Sequence, residues 1–172
     1  APRVQQLAAD PEVALRTGSL PHPYPEGQAL RWIQSLDHLR QTAVVEVFGL
    51  TVKVDGSLVG VMDLRRTEFD HAYEVGFWVG RPFWGQGYCA EGLVALVDFA
   101  FRREPHLMRI FALSFPENSA SARVQEKAGF KLEGLLRHGL ARLNEPRDAH
   151  VHAITREDWR DAQEPGSSRT QG

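Results

Sequence analysis

Asn118–Phe130 reads NSASARVQEKAGF, and its two ends carry the information. Asn118 is a residue type whose side-chain oxygen accepts from the free amides of a helix's first turn. Gly129 is the type that takes the left-handed conformation just past a helix end. The block therefore predicts a short helix from Asn118 to the residue before Gly129. A strand-like run, MRIFALSF (Met108–Phe115), precedes it. Two closing strands follow, about Phe130–His138 and Ala149–Thr155, flanking the turn-like LNEPR (Leu143–Arg147).

Working upstream, PFWGQGYCAEG (Pro82–Gly92) stands between a strand, Ala72–Val79, and a helix running to about Arg102. Cys89, Leu93, Leu96, Val97 and Ala100 recur at the spacing of one buried helical stripe. From Ala43 to Arg66 the pattern is β-branched, interrupted at Asp55-Gly56-Ser57, a strong hairpin signal. PHPYPEG (Pro21–Gly27) is a proline-punctuated loop leading into a helix at Gln28–Leu39, whose Leu30, Ile33 and Leu36 share a face. Val4–Leu15 has helical spacing, with Pro11 near a break. The end, EPGSSRTQG, has the composition of a disordered tail. The expected organisation is one domain over residues 1–160 and a flexible tail over 161–172. Strands far outnumber crossover helices, so the fold class is α+β with a mixed sheet, not a doubly wound array.

Composition narrows the function. The chain has 172 residues, 42% of them hydrophobic and 24% charged, ordinary for a globular domain with its own core. A net charge of −2 gives no electrostatic reason to expect nucleic acid or an anionic membrane as partner. The single cysteine, Cys89, leaves no internal disulfide and suits a reducing compartment. No apolar run approaches the roughly 18–20 residues that span a bilayer, so a cytoplasmic protein is expected. The first residue is Ala1, not Met, which leaves a start upstream of it open.

GQGYCA (Gly85–Ala90) fits the G-x-G-x-x-G/A fingerprint of dinucleotide-binding folds, with Glu104 near the distance of a ribose-binding acid. One reading is thus a nicotinamide dinucleotide oxidoreductase; a plain strand–helix corner that binds nothing is another. There is no P-loop sequence. In any ligand-binding case the physics is shared: glycines let the backbone approach an anion, and the first free amides of a helix point at it.

EVGFWV (Glu74–Val79), PFWGQGYCAEG and NSASARVQEKAGF followed by KLEGLLR (Lys131–Arg137) together resemble the GNAT superfamily of acyl-CoA-dependent N-acetyltransferases. The likeness is to its RimJ/RimL-type branch and covers roughly Pro21–Trp159. The resemblance implies a central mixed, mostly antiparallel twisted sheet flanked by helices, with a splayed strand pair at the acetyl-CoA site. It implies direct transfer of an acetyl group from acetyl-CoA to a primary amine, at a protein N-terminus or on a small molecule, without metal. A non-catalytic acyl-CoA-binding module of the same fold is the remaining alternative. Pyrophosphate would be held by backbone amides of Trp84, Gly85, Gln86, Gly87, Tyr88, Cys89 and Ala90. Phe77, Trp78 and Val79 would contact the cofactor, and a backbone N–H among them would supply the oxyanion donor.

Carried over in the same way, Asn118 is a cofactor contact and helix cap, and Ser121 both a cofactor contact and the group that protonates or hydrogen-bonds the CoA sulfur. Gln125 stands where many superfamily members have a Tyr. Glu74 is the general base, directly or through water, and part of the acceptor site. Leu140 stands where a relative places a catalytic Glu. His22 and Tyr24 are candidate acceptor contacts, and Glu133 is structural. Cys89 reads as a buried spacer, and Gly92 stands where the branch often has Ala. His138, His150 and His152 read as substrate-side or surface groups in preference to a zinc site. The family's fold opens with a strand before its first helix, whereas Ala1–Leu15 reads as that helix. Either the start lies upstream or the strand is absent. Monomer and homodimer are both open.

Overall fold

The structure, a computed structural model, describes residues 1–42 and 44–164. Its backbone order is α1 (Pro2–Ala8), α2 (Pro11–Ala14), α3 (Gln28–Thr42), β1 (Val45–Thr51), β2 (Leu58–Arg66) and β3 (Ala72–Val79). There follow α4 (Tyr88–Arg103), β4 (Arg109–Ser114), α5 (Ser119–Lys127), β5 (Lys131–Arg142), β6 (Glu145–Thr155) and α6 (Arg156–Gln163). The strands form one six-stranded sheet in the order β1-β2-β3-β4-β6-β5. Every described neighbouring pair is antiparallel except β3 and β4, which are parallel because α4 crosses between them.

The apolar stripe of α4 does what its spacing predicts. Leu93, Leu96, Val97 and Ala100 are buried, in one cluster with Met62, Leu64, Tyr73 and Val75 of β2 and β3 and Ile110 and Ala112 of β4. Alternate residues on these strands face the other way, so Asp63, Arg65, Glu74 and Gly76 lie on the face opposite α4. Gly92 is explained here: a Cβ would come within 2.7 Å of Leu50 and 2.9 Å of Met62, so α4 sits close against the sheet.

Two expectations change. The β5–β6 hairpin continues to its turn past an irregularity between Leu136 and Leu140, since pairing resumes through Leu140↔Arg147, Ala141↔Pro146 and Arg142↔Glu145. Leu143 and Asn144 both have positive φ, 50° and 67°, the geometry that lets a two-residue turn join twisted strands. The other change is α6, which extends past residue 160 to Gln163. Thr155 caps it reciprocally with Asp158, and Arg156 is buried, donating to the carbonyls of Leu107 (2.7 Å), Phe101 (3.0 Å) and Glu104 (2.6 Å). The rest of the expected tail, 165–172, lies outside the described residues. No described helix is long and apolar enough to cross a membrane.

Candidate active site

The parallel ladder between β3 and β4 is short. It comprises Ala72↔Arg109, Tyr73↔Ile110 and Glu74↔Phe111, while both strands go on, to Val79 and Ser114, paired only with their outer neighbours. Past Glu74 the sheet therefore opens into a wedge, and a cavity of about 560 Å³ occupies it. Phe77, Trp78 and Val79 line it from the β3 side and Leu113, Ser114 and Phe115 from the other.

One wall is the loop before α4. Gly85 and Gly87 have φ of 74° and 87°, and a Cβ on either would meet no protein atom within 4 Å. Their conformation requires glycine, and the space above them is open. The α4 ladder begins with the Glu91 amide on the Gly87 carbonyl (3.0 Å), so the amides of Tyr88, Cys89 and Ala90 precede it. Trp84 pins the loop by donating from its indole to the Val79 carbonyl at 2.7 Å, and the Arg16 guanidinium lies 4.8 Å from its ring centre. Trp84, Gly85, Gly87, Cys89 and Ala90 line the cavity. Gln86 and Tyr88 are not in the lining: Gln86 donates to the Pro82 carbonyl (2.9 Å), and the Tyr88 ring lies edge-on to Phe83. Cys89 packs against the core, and burial pushes its thiol up to about 12, which makes it a spacer and not a nucleophile near neutrality.

The N-terminus of α5 forms the facing wall. Asn118 accepts from the Ser121 amide (3.1 Å) as cap and donates to the Arg16 carbonyl (3.1 Å). The Ser121 hydroxyl accepts from Gln125 Nε2 at 2.9 Å. Arg123 and Lys127, one turn apart, also line the cavity.

Glu74 sits at the apex of the wedge. It accepts from Arg65 (2.9 Å), whose Nε is 2.7 Å from Asp63 on the same strand. Gly76 makes room for this trio, since a Cβ there would fall 2.5 Å from Arg65 Nη2 and 2.8 Å from Asp63 Oδ2. Burial pushes the Glu74 carboxyl above its usual range; Arg65 draws it back and Asp63 adds to the rise. Asp63 is likewise raised by burial, against the pull of Arg65. These are the two carboxylates in the lining.

The comparisons agree with this geometry. A family model described as "Acetyltransferase (GNAT) domain" matches residues 1–131. The chain belongs to the GNAT acetyltransferase family. It is 33% identical to the N-acetyltransferase YnaD of Bacillus subtilis over 66% of this chain and 66% of that protein, about two thirds of its length. It is 28% identical to the ribosomal protein uS5-alanine N-acetyltransferase of Escherichia coli, over 80% of this chain and 71% of that one. Among solved structures, Mycobacterium smegmatis RimJ in complex with CoA-disulfide has the same fold, with a TM-score of 0.76 and 24% identity over 91% of this chain and 76% of that one. Relatives from the RimJ/RimL branch thus accompany the family match.

In this GNAT domain Leu140 lines the cavity, so the position discussed above faces the site and carries no titratable group. His22 and Tyr24 lie between α2 and α3 and are not in the lining; burial raises the Tyr24 phenol, partly offset by Arg31. The Gly18 and Ser19 that precede them do line it, with Arg16 and Thr17. Glu104 is at the far end of α4 from Gly87, about 25 Å away by helical rise, and pairs with Arg66 and Arg103. It has no part in a nucleotide site at the glycines, and the sheet has one parallel pair among the described strands, unlike a dinucleotide-binding array. Glu133 pairs with Arg109. The His150 and His152 rings lie edge-on with centres 6.2 Å apart, and His152 is buried in the fold and outside the cavity lining, so it is neither a surface nor a substrate-side group; His138, at φ 55°, sits in a ladder irregularity with its amide on Asp148. Among the described residues no cluster of three or more His, Cys, Asp or Glu side chains could hold a metal. Asp63, Arg65, Arg123 and Lys127 escaped the sequence reading. Only the last two had a local signal, their i, i+4 spacing on the same helix as Ser121.

Proposed function

We propose that this chain transfers an acetyl group from acetyl-CoA directly to a primary amine held beside Glu74. The observation that carries the reading is the wedge itself, with free helix-start amides on one wall, Ser121 on the other and a buried carboxylate at its apex. The residues present fit the donor: open backbone at Gly85 and Gly87 suits a close-lying pyrophosphate, and Arg123 and Lys127 add positive charge beside it. The fold neighbour solved with CoA-disulfide supports the same assignment.

Bound acetyl-CoA supplies a thioester whose carbonyl carbon takes the amine nitrogen as the C–S bond breaks and the electron pair leaves on sulfur. Glu74, directly or through water, takes the ammonium proton; its raised affinity for protons brings it closer to its task. Beyond Glu74 the β4-facing amides of β3, around Phe77–Val79, are free of a strand partner and would donate to the carbonyl oxygen. Ser121 donates a hydrogen bond to the departing sulfur, which takes the second proton from the acylated nitrogen and leaves as the thiol.

The acceptor class follows from proton energetics. Neutralising an α-amine of pKa ~8 at pH 7 costs about 1.4 kcal/mol, against about 4.6 for a lysine-like amine. With Leu140 inert, one tempered carboxylate suits the low-pKa amine of a peptide N-terminus, the group on which the uS5 relative acts by its name. A reducing, cytoplasmic setting fits the lone thiol of Cys89. The test is thiol release from acetyl-CoA across peptides with different N-terminal residues and small polyamines. Release only with polyamines would overturn the acceptor assignment. Binding of NAD without binding of CoA would overturn the reading altogether, and unchanged turnover in both E74Q and S121A would leave only an acyl-CoA-binding module.

A further inference from the structure

Among the described residues the buried polar side chains are Ser114, Gln125, His152 and Arg156, and Gln125 is the amide among them. It is fully buried, on the inner face of α5. Nε2 donates to Ser121 Oγ, but Oε1 has no hydrogen-bond partner among the described residues. A buried unpaired amide oxygen is costly, and an apolar side chain of the same length would fill the site without that cost. The amide therefore calls for a role in which its N–H matters.

We infer that Gln125 is a positioning residue that keeps the Ser121 hydroxyl proton turned toward the cavity. This rests on the proposed reading of Ser121 as donor to sulfur. A serine hydroxyl in a helix commonly gives its proton to a carbonyl one turn earlier, which would consume it. Among the described residues the Ser121 hydroxyl gives no such bond; the side-chain bond it makes is accepted from Gln125. From the turn after, Gln125 occupies an Oγ lone pair as donor, so the hydroxyl keeps its own proton for the side that lines the cavity. Accepting one hydrogen bond also polarises the O–H and strengthens the next one it gives. Ser121 thereby becomes a one-way donor, as a departing thiolate requires.

The test reads the sulfur, not the turnover. The thiol of CoA bound to the protein is titrated by ultraviolet thiolate absorbance in wild type, S121A, Gln125→Met and the double variant. A donor at sulfur lowers the bound thiol's pKa. Gln125→Met should raise it by about 0.3–1 unit, about 2- to 10-fold in acidity, the size of one neutral hydrogen bond. In the S121A background Gln125→Met should add nothing. Gln125→Glu is the second variant: once ionised, its carboxylate draws the hydroxyl proton inward, and the bound thiol should titrate at least as high as in S121A. A wild-type value in Gln125→Met with a raised value in S121A would overturn the positioning role and leave Ser121 standing. A wild-type value in S121A would overturn the Ser121 reading and this inference with it, as would failure of CoA to bind.

Discussion

At the scale of residues, Glu74 is held in tension. Burial favours its neutral form, Arg65 favours the charged one, and burial has the larger effect. A carboxyl raised in the folded state loses stability for the protein as pH climbs from its unfolded value, near 4.3, through its folded one. Glu74→Gln should therefore unfold at a higher temperature than wild type at pH 7, and the gain should vanish at pH 3, where the wild-type carboxyl is protonated in both states. The same variant should lower kcat by about 10²- to 10⁴-fold, as loss of a general base does. Calorimetry at the two pH values beside steady-state kinetics checks both. Because Arg65 pulls the carboxyl down, Arg65→Met should move the acid limb of the kcat/KM profile to higher pH. Cys89 gives an independent check on burial: with its thiol at about 12, only about one molecule in 10,000 is thiolate at pH 8. Iodoacetamide should alkylate it far more slowly in native than in urea-unfolded protein.

At the scale of elements, the start of α4 and the whole of α6 contrast. The start of α4 was legible because Gly85 and Gly87 announce a backbone that other residues strain to adopt. Gly87→Ala should cost about 1 kcal/mol for the left-handed conformation and raise the KM for acetyl-CoA, since the new methyl enters open space beside the amides. Helix α6 was not legible. Its segment, REDWRDAQ, has Trp159 as its one large apolar anchor, and it abuts a tail-like composition. The available signal was Thr155 with Asp158 three residues on, a capping box that outranks composition. Arg156 then holds α6 through three backbone carbonyls, so Arg156→Met should destabilise the fold by about 3 kcal/mol in urea titration. The β5–β6 hairpin was cut short in the reading for another reason. Pro146 and the ladder irregularity between Leu136 and Leu140 break the alternation on which strand assignment depends, although the strands remain paired across both.

At the scale of the molecule, charge is distributed against its total. The chain carries a net −2, yet the cavity lining holds Arg16, Arg65, Arg123 and Lys127 against Asp63 and Glu74, four cations to two anions. An anionic donor is therefore attracted locally by a protein that repels anions weakly overall. CoA affinity should fall as salt rises from 50 to 500 mM by isothermal calorimetry, on the order of a threefold loss or more. R123A/K127A should bind more weakly and show a flatter salt dependence. The sheet order lay beyond the residue pattern because it depends on which strands meet after α4 crosses over, and the β3–β4 split was expected only through the family resemblance. Asp63 and Arg65 lay beyond it for the same reason: on β2 they read as ordinary strand residues, and only pairing with β3 brings them to Glu74. Asn118 couples the halves of this layout. Its one amide group terminates α5 with its oxygen and fastens the chain at Arg16 with its nitrogen. Any displacement of the chain at Arg16 therefore tugs on the first turn that carries Ser121, and if that serine serves the donor as proposed, movement at residues 16–19 reaches it through this one side chain.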